Sequence, residues 1–171
     1  MKKIFLTILV LTLFQTIFAQ SPYVTAPDPQ NPKAHILNGI ITKYAIANDS
    51  TFTWYAANQN AYAPAAEYKA AMTAATGKLK FIVFGGTWCE DSHFILPKFF
   101  KLQEQAGFPD AGISFFAVDR NKKTIGGVTE ALGITNVPTI IVLKDGKEVG
   151  RVVEYGKSGQ WDKELAELLK Q

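Results

Sequence analysis

The single cysteine of this 171-residue chain, Cys89, lies in the segment Gly86-Thr87-Trp88-Cys89-Glu90-Asp91-Ser92. An apolar run before it predicts a buried strand, and the residues after it predict a helix. At the start of a helix, unpaired backbone N–H groups and the helix dipole favour a thiolate over a thiol. Ser92, three residues on, falls on the same helix face, where its hydroxyl could donate a hydrogen bond to the sulfur. This pattern points to a nucleophilic thiol.

Three neighbours of Cys89 could modulate the ionisation of the thiol. Glu90 and Asp91 stabilise the first turn of a helix by about 0.3–1 kcal/mol each, but their charges disfavour a second negative charge on the sulfur. We interpret them as helix-start residues; the alternative is that they make a milder nucleophile or select basic partners. His93 lies four residues after Cys89 and could reach the sulfur as an imidazolium.

The elements that would position these residues follow from apolar periodicity and from turn residues. Strands are predicted at residues 80–85, 113–119, 139–143 and 148–154. Helices are predicted at residues 64–76, 88–105, 124–132 and 161–170, with Pro97 inside the second. This order predicts an α/β domain with a central mixed β-sheet and helices on both faces. Six aromatic side chains are expected in the core: Phe81, Phe84, Phe99, Phe100, Phe115 and Phe116.

The chain begins with a segment that resembles a targeting signal. Lys2 and Lys3 precede a mainly apolar stretch over residues 4–18, and Ala19 supplies a small residue for cleavage. We expect residues 1–19 to be a signal peptide and the mature protein to be periplasmic or secreted. The alternative is an uncleaved anchor, but the run is shorter than the roughly 20 residues that span a bilayer.

Charge and composition exclude several classes of function. Removing Lys2 and Lys3 lowers the formal net charge from +3 to +1, so neither nucleic acid nor a membrane surface is an expected partner of the mature protein. Two histidines and one cysteine are too few to argue for a metal site. No phosphate-binding loop or other cofactor motif is present, so no cofactor is expected.

Residues 20–62 are expected to form an N-terminal extension. Residues 21–32 contain four prolines and predict an extended lead-in. Residues 36–62 predict short helical pieces that pack on the main domain. The turn residues Asn48-Asp49-Ser50-Thr51 could cap such a piece, and an aromatic cluster of Phe52, Trp54 and Tyr55 follows them.

Residues 63–171 are expected to form the main domain, and about residues 64–170 resemble the thioredoxin family. Trp88-Cys89-x-x-Ser92 stands where that family has Trp-Cys-x-x-Cys, and Val137-Pro138-Thr139 is similar to its cis-proline segment. Lys144-Asp145-Gly146 resembles its terminal hairpin. The resemblance implies a thioredoxin-like fold, with Trp88, Val137 and a cis Pro138 as a substrate platform. It also implies a solvent-facing position for His93. The relatives we expect are exported bacterial proteins with one cysteine in this motif.

Two departures from the family bear on mechanism. Ser92 occupies the position of the second, resolving cysteine, and Val83 stands where thioredoxins usually carry a buried acid. A dithiol enzyme releases its product with the second thiol, so this chain would need an external one. We expect thiol–disulfide exchange through Cys89, with protein or small-molecule thiols and disulfides as partners and monothiol oxidoreductase or isomerase activity. The alternative is a redox-inactive binding or chaperone-like module.

Overall fold

The computed structural model describes residues 21–171, and the predicted signal peptide lies outside the described residues. Within that range six strands form one mixed sheet in the order β1-β2-β4-β3-β5-β6. The strands are β1 (Tyr23–Asp28), β2 (Asn31–Ile41), β3 (Leu79–Gly85), β4 (Ile113–Ala117), β5 (Thr139–Lys144) and β6 (Lys147–Val153). The sheet and its helices confirm the predicted thioredoxin-like α/β fold.

Six α-helices accompany the sheet within residues 21–171. They are α1 (Lys43–Ala47), α2 (Trp54–Asn60), α3 (Ala66–Ala75), α4 (Glu90–Gln105), α5 (Val128–Ala131) and α6 (Trp161–Leu168). The predicted helix over residues 124–132 is shorter than expected, because a 3₁₀ turn over Ile125–Gly127 precedes α5. Two glycines there have positive φ, a conformation that does not continue a right-handed helix. None of these helices combines the length and apolar character needed to cross a membrane.

Strand β3 lies at the centre of the sheet, parallel to β4 and antiparallel to β5. Its apolar run is explained by burial on both faces. Because β3 and β5 are antiparallel, Phe84 near the end of β3 pairs with Thr139 at the start of β5. The loop after β3 and the loop before β5 therefore meet at one edge of the sheet.

The core has one cluster on each face of the sheet, as the alternation of side chains along a strand requires. Phe81 and Val83 belong to the larger cluster, with Phe99 of α4. Phe84 belongs to the smaller cluster, with Val137. The core assignment is confirmed for five of the six predicted aromatics, while Phe116 is half-buried and stacks on Phe84 at 5.3 Å.

The N-terminal region differs from its prediction. Residues 21–32 are not an unpaired lead-in, because β1 pairs antiparallel with β2 along its length. Residues 36–41 are strand rather than helix, since β2 continues to Ile41 and pairs with β4 through Gly39–Ala117. Gly39 has φ +128, and a Cβ there would lie 2.5 Å from the Pro22 carbonyl oxygen, so glycine permits this close pairing.

Short helices do follow, at α1 and α2, as predicted for the rest of this region. The boundary between the extension and the main domain at residues 62–63 stays a prediction. Strand β2 is nevertheless part of the same sheet as β3 and β4, which places residues of the N-terminal region beside the loop that carries Cys89.

Candidate active site

Cys89 lies at the junction that the sequence predicted, between β3 and α4. It is the N-cap residue of α4, with φ −98 and ψ 122, and it is half-buried. Its N–H donates to the Gly86 carbonyl at 3.1 Å, and its own carbonyl accepts from the His93 N–H at 2.9 Å. Cys89 therefore stands at the N-terminus of a helix of 16 residues, and its side chain makes no capping hydrogen bond to the N–H groups of that helix.

The loop before β5 brings Val137 and Pro138 to this sulfur. The Cys89 thiol donates a hydrogen bond to the Val137 carbonyl oxygen, with Sγ and O 3.2 Å apart. The Val137–Pro138 peptide bond is cis, as the resemblance implied. Both side chains are buried, so this loop presents its backbone, rather than large side chains, to the thiol.

Ser92 is fully buried, at 0% exposure. Its Oγ accepts a hydrogen bond from the Gly86 N–H at 3.2 Å, which closes the loop between β3 and α4. No hydrogen bond from Ser92 to the Cys89 sulfur is present among residues 21–171 in this thiol form. The Ser92 hydroxyl proton remains available as a donor, and its support of a thiolate stays a prediction.

The Trp88 side chain is half-buried beside Cys89. Its indole Nε1–H donates to the Val118 carbonyl at 3.0 Å, and the Arg120 guanidinium carbon lies 5.2 Å from the ring centroid. A Cβ on Gly86 would lie 2.7 Å from Nε1, so only glycine allows the ring to approach this closely. This contact could not be predicted, because Arg120 carries no local sequence signal of an aromatic partner.

Thr87 connects the Cys89 loop to β2. Its buried hydroxyl accepts from the Leu37 N–H at 3.2 Å and donates to the His35 carbonyl at 3.2 Å. Both contacts satisfy backbone groups of β2 that would otherwise lie unpaired. Thr87 could not be predicted as a functional residue, since a threonine before Trp-Cys carries no local signal of a partner fifty residues away.

His93 packs against this loop instead of facing open solvent. Its Nε2–H donates to the Thr87 carbonyl at 2.8 Å, and its ring stacks on Trp54 of α2 at 4.1 Å with an interplanar angle of 18°. Burial lowers the pKa of His93, although the Thr87 hydrogen bond and the Glu90 charge oppose this. His93 is therefore half-buried rather than solvent-facing as the resemblance implied, and its Nε2–H is already bound to the Thr87 carbonyl.

The rim of the site is acidic and aromatic. Glu90 is exposed and Asp91 half-buried at the start of α4. Phe94 and Tyr155 are 40% and 36% exposed, and their ring centroids are 5.7 Å apart. Partial burial raises the pKa of the Tyr155 phenol, and the nearby Asp91, Cys89 and Glu90 raise it further.

Tyr155 was also missed by the sequence analysis, because it follows the last strand without a motif. Its position depends on the loop after β6. In that loop the Glu154 N–H donates to the Pro138 carbonyl at 2.7 Å, and the Asn136 side-chain amide donates to the Glu154 carboxylate at 2.8 Å. These two hydrogen bonds fix the loop after β6 to the segment that contains Asn136 and Pro138.

The interior beneath the site is apolar. Val83, at the position where the resemblance implied a buried acid in relatives, is 0% exposed among hydrophobic neighbours. Within residues 21–171, no three His, Cys, Asp or Glu side chains converge closely enough to hold a metal ion. The cysteine thiol at this edge of the sheet is accompanied by the buried hydroxyls of Thr87 and Ser92 and by the backbone of the Val137–Pro138 loop.

Comparison with known proteins agrees with this geometry. A family model described as Thioredoxin matches residues 42–165. Thioredoxin-2 of Saccharomyces cerevisiae is 36% identical over 89 residues, which is 52% of this chain and 79% of the yeast protein. Thioredoxin of Staphylococcus haemolyticus is 36% identical over 93 residues, which is 53% of this chain and 79% of that protein.

A solved structure resembles this fold over a larger part of the chain than those sequence matches cover. A Pseudomonas aeruginosa protein of unknown function superposes with a TM-score of 0.52 at 15% identity, over 75% of this chain and 89% of that one. This likeness concerns the fold alone. The family match, the cysteine at the start of α4 and the cis-proline loop facing it are consistent with thiol–disulfide exchange, and the chain belongs to the thioredoxin family.

Proposed function

We propose that the protein is an exported thiol–disulfide exchange protein that acts through Cys89 alone and needs an external thiol to complete its cycle. The observation that carries this proposal is the 3.2 Å contact between the Cys89 sulfur and the Val137 carbonyl, with Ser92 at the position of a resolving thiol. The export part rests on the sequence of residues 1–19.

The first step forms a mixed disulfide. The Cys89 thiol loses its proton to solvent, and the thiolate attacks one sulfur of a substrate disulfide. A new bond joins Cys89 to that sulfur, and the second substrate sulfur leaves as a thiolate that takes up a proton. The helix N-terminus stabilises the attacking charge.

The second step requires another molecule, because Ser92 has no sulfur to offer. An external thiol, such as a small thiol or a cysteine of a partner protein, attacks the mixed disulfide and restores the Cys89 thiol. The substrate fragment leaves as a disulfide with the external thiol. Across the two steps one disulfide is exchanged for another, so no net oxidation or reduction is required of the protein itself.

The Val137 carbonyl couples substrate binding to this chemistry. In the free protein it accepts the hydrogen bond of the Cys89 thiol. A substrate segment in extended conformation that pairs with the Val137 backbone supplies an N–H to the same oxygen. The thiol then competes with the substrate N–H for this acceptor, and the Ser92 hydroxyl, three residues along the helix, lies on the same helix face to donate to the thiolate.

The charges at the rim support a preference among substrates. Glu90 is exposed, Asp91 is half-buried, and both lie close enough to Tyr155 to affect its pKa. These carboxylates disfavour acidic segments and favour basic ones around the substrate disulfide. We therefore infer that the substrates are protein or peptide disulfides with basic flanking residues.

The direct test is to incubate the mature protein with a disulfide-bonded basic peptide and measure the intact mass. The proposal predicts an adduct of one peptide thiol at Cys89 that persists until glutathione is added. The Cys89→Ser variant is the control and should show no adduct. If the folded protein forms no adduct while the urea-unfolded chain does, the protein is a redox-inactive binding module instead.

A further inference from the structure

An ion pair with a buried carboxylate joins the N-terminal hairpin, formed by β1 and β2, to the region of the active site. Asp28, at the end of β1, is 3% exposed. Its two carboxylate oxygens accept from Arg120 Nε at 2.7 Å and from Arg120 Nη2 at 2.8 Å. The Gln30 N–H donates to the same carboxylate at 3.0 Å. The Arg120 hydrogen bonds lower the pKa of Asp28 although burial opposes this, so the pair is ionised.

The geometry of this pair fixes the plane of the guanidinium group. Two parallel N–H···O bonds to one carboxylate leave the Arg120 head little freedom to rotate. That head lies over the Trp88 ring, with its carbon 5.2 Å from the ring centroid. A guanidinium at this distance attracts the aromatic ring electrostatically.

The Trp88 ring is thus held at two places. Its nitrogen is bound to the Val118 carbonyl, and its ring is covered by Arg120. Trp88 directly precedes Cys89, so a different ring orientation would change the surface that a substrate meets beside the sulfur. Reacting groups must be held to within a fraction of an ångström for fast reaction.

We infer that Arg120 is a positioning residue for the exchange site, and that Asp28 of the N-terminal hairpin is the group that orients it. This inference rests on the proposed function, because it assigns Trp88 to the wall of the substrate groove. It gives the hairpin a role beyond extending the sheet, since β1 delivers the one carboxylate bound to Arg120 among residues 21–171.

The test replaces both members of the pair, Asp28→Leu together with Arg120→Met. Removing both avoids an unpaired buried charge, and apolar replacement of a buried pair preserves stability in many proteins. The matched control is Glu148→Leu with Arg151→Met, which removes the second bidentate pair, with both bonds 2.6 Å long, on β6. Among the described residues that pair has no contact with Trp88.

The readouts are the rate of exchange with a peptide disulfide, the rate of Cys89 alkylation by iodoacetamide, and the thermal midpoint. We expect the Asp28/Arg120 variant to lose about tenfold or more in peptide exchange. Its alkylation rate should change by less than about twofold, because alkylation depends on the thiolate and its access rather than on a groove wall. The control should leave both rates unchanged.

A second variant keeps the inference testable if the double variant does not fold. Arg120→Lys retains the charge and an ion pair with Asp28 but lacks the planar group that covers the indole. Slower peptide exchange at an unchanged alkylation rate supports the inference. An unchanged exchange rate in the folded double variant, or in Arg120→Lys, overturns it. If the unmodified protein itself exchanges no disulfide, the proposed function fails first.

Discussion

The thiol of Cys89 donates its hydrogen bond to the carbonyl oxygen of Val137, 3.2 Å away, across the gap between the start of α4 and the loop before β5. These residues are 48 positions apart in the chain, and the antiparallel pairing of β3 with β5 brings them together. One backbone oxygen thus serves the resting thiol and is the acceptor that a paired substrate segment would use.

Replacing Ser92 with cysteine should convert the site to a dithiol. Ser92 is buried one helical turn from Cys89, so a thiol there can attack a mixed disulfide on its neighbour. We expect Ser92→Cys to form an internal disulfide and to reduce insulin with dithiothreitol as the electron source, faster than the unmodified protein. The measurement is insulin turbidity together with a thiol count before and after oxidation.

The control for this change is Ser114→Cys, which adds a thiol at an exposed position of β4 that pairs with Ile82. It should keep two free thiols under the same oxidation. If Ser92→Cys also keeps two free thiols, the two positions are not placed for exchange.

The pH dependence of stability should contain a contribution from His93. Burial lowers the pKa of His93 below its ordinary value of 6.5, so the unfolded chain binds the proton more readily than the folded one. Stability from this group is complete above about pH 6.5 and is lost as the pH falls through the lowered folded-state pKa. The measurement is the free energy of unfolding in urea between pH 7.5 and 5.

The variant His93→Gln isolates this contribution, since its amide can still donate to the Thr87 carbonyl without titrating in this range. We expect its stability to fall less steeply with acid than that of the unmodified protein. Parallel pH curves for the two proteins would show that His93 is not desolvated in the folded state.

The two hydrogen bonds that join Thr87, in the loop between β3 and α4, to β2 should contribute measurably to the free energy of unfolding. Thr87→Val removes the hydroxyl that serves both the Leu37 N–H and the His35 carbonyl, and it leaves a buried N–H without a partner. We expect a loss of about 1–3 kcal/mol in the free energy of unfolding. The measurement is urea denaturation, with faster hydrogen exchange at the Leu37 amide as a local signature.

Thr73→Val is the matched control, because the Thr73 hydroxyl makes a single hydrogen bond, to the Ala106 carbonyl at 2.8 Å. Its cost should be about 0.5–1.5 kcal/mol, with no change at Leu37. A Thr87→Val variant that is no less stable than Thr73→Val would mean that β2 does not depend on the Cys89 loop.

The charge of the substrate should affect its rate of exchange, because Glu90 and Asp91 make the rim of the site acidic. We expect Glu90→Gln with Asp91→Asn to lower the ratio of exchange rates for cystamine over dithiodipropionate by about tenfold at low ionic strength. Added salt should reduce the ratio in the unmodified protein. The pair Glu67→Gln with Asp145→Asn changes the net charge equally and should leave the ratio intact. An equal shift from both pairs would assign the effect to net charge rather than to the rim.

The central part of the fold could be predicted from sequence because its signals are local. The apolar run of β3, the Asp145-Gly146 turn and the polar start of α4 each carry their own pattern. The order of these elements then placed Cys89 at the junction where the structure has it.

The N-terminal hairpin and the supports of the site could not be predicted in the same way. Four of the six residues of β1 are exposed and Pro27 interrupts its sequence, so its strand character depends on pairing with β2. Arg120 meets its partner Asp28 from 92 positions away, and Tyr155 reaches the rim only through the loop that follows β6. Such contacts cannot be predicted from local sequence patterns, because they depend on how the strands are arranged in the folded sheet.

The stoichiometry of product release tests the single-thiol mechanism most directly. A chromogenic disulfide is mixed with the reduced protein, and the released thiol is counted with and without glutathione. The mechanism predicts one equivalent of thiol per chain without glutathione and continued turnover with it, and neither in Cys89→Ser. Sustained turnover without any external thiol, or the absence of the first equivalent from the folded protein, would contradict it.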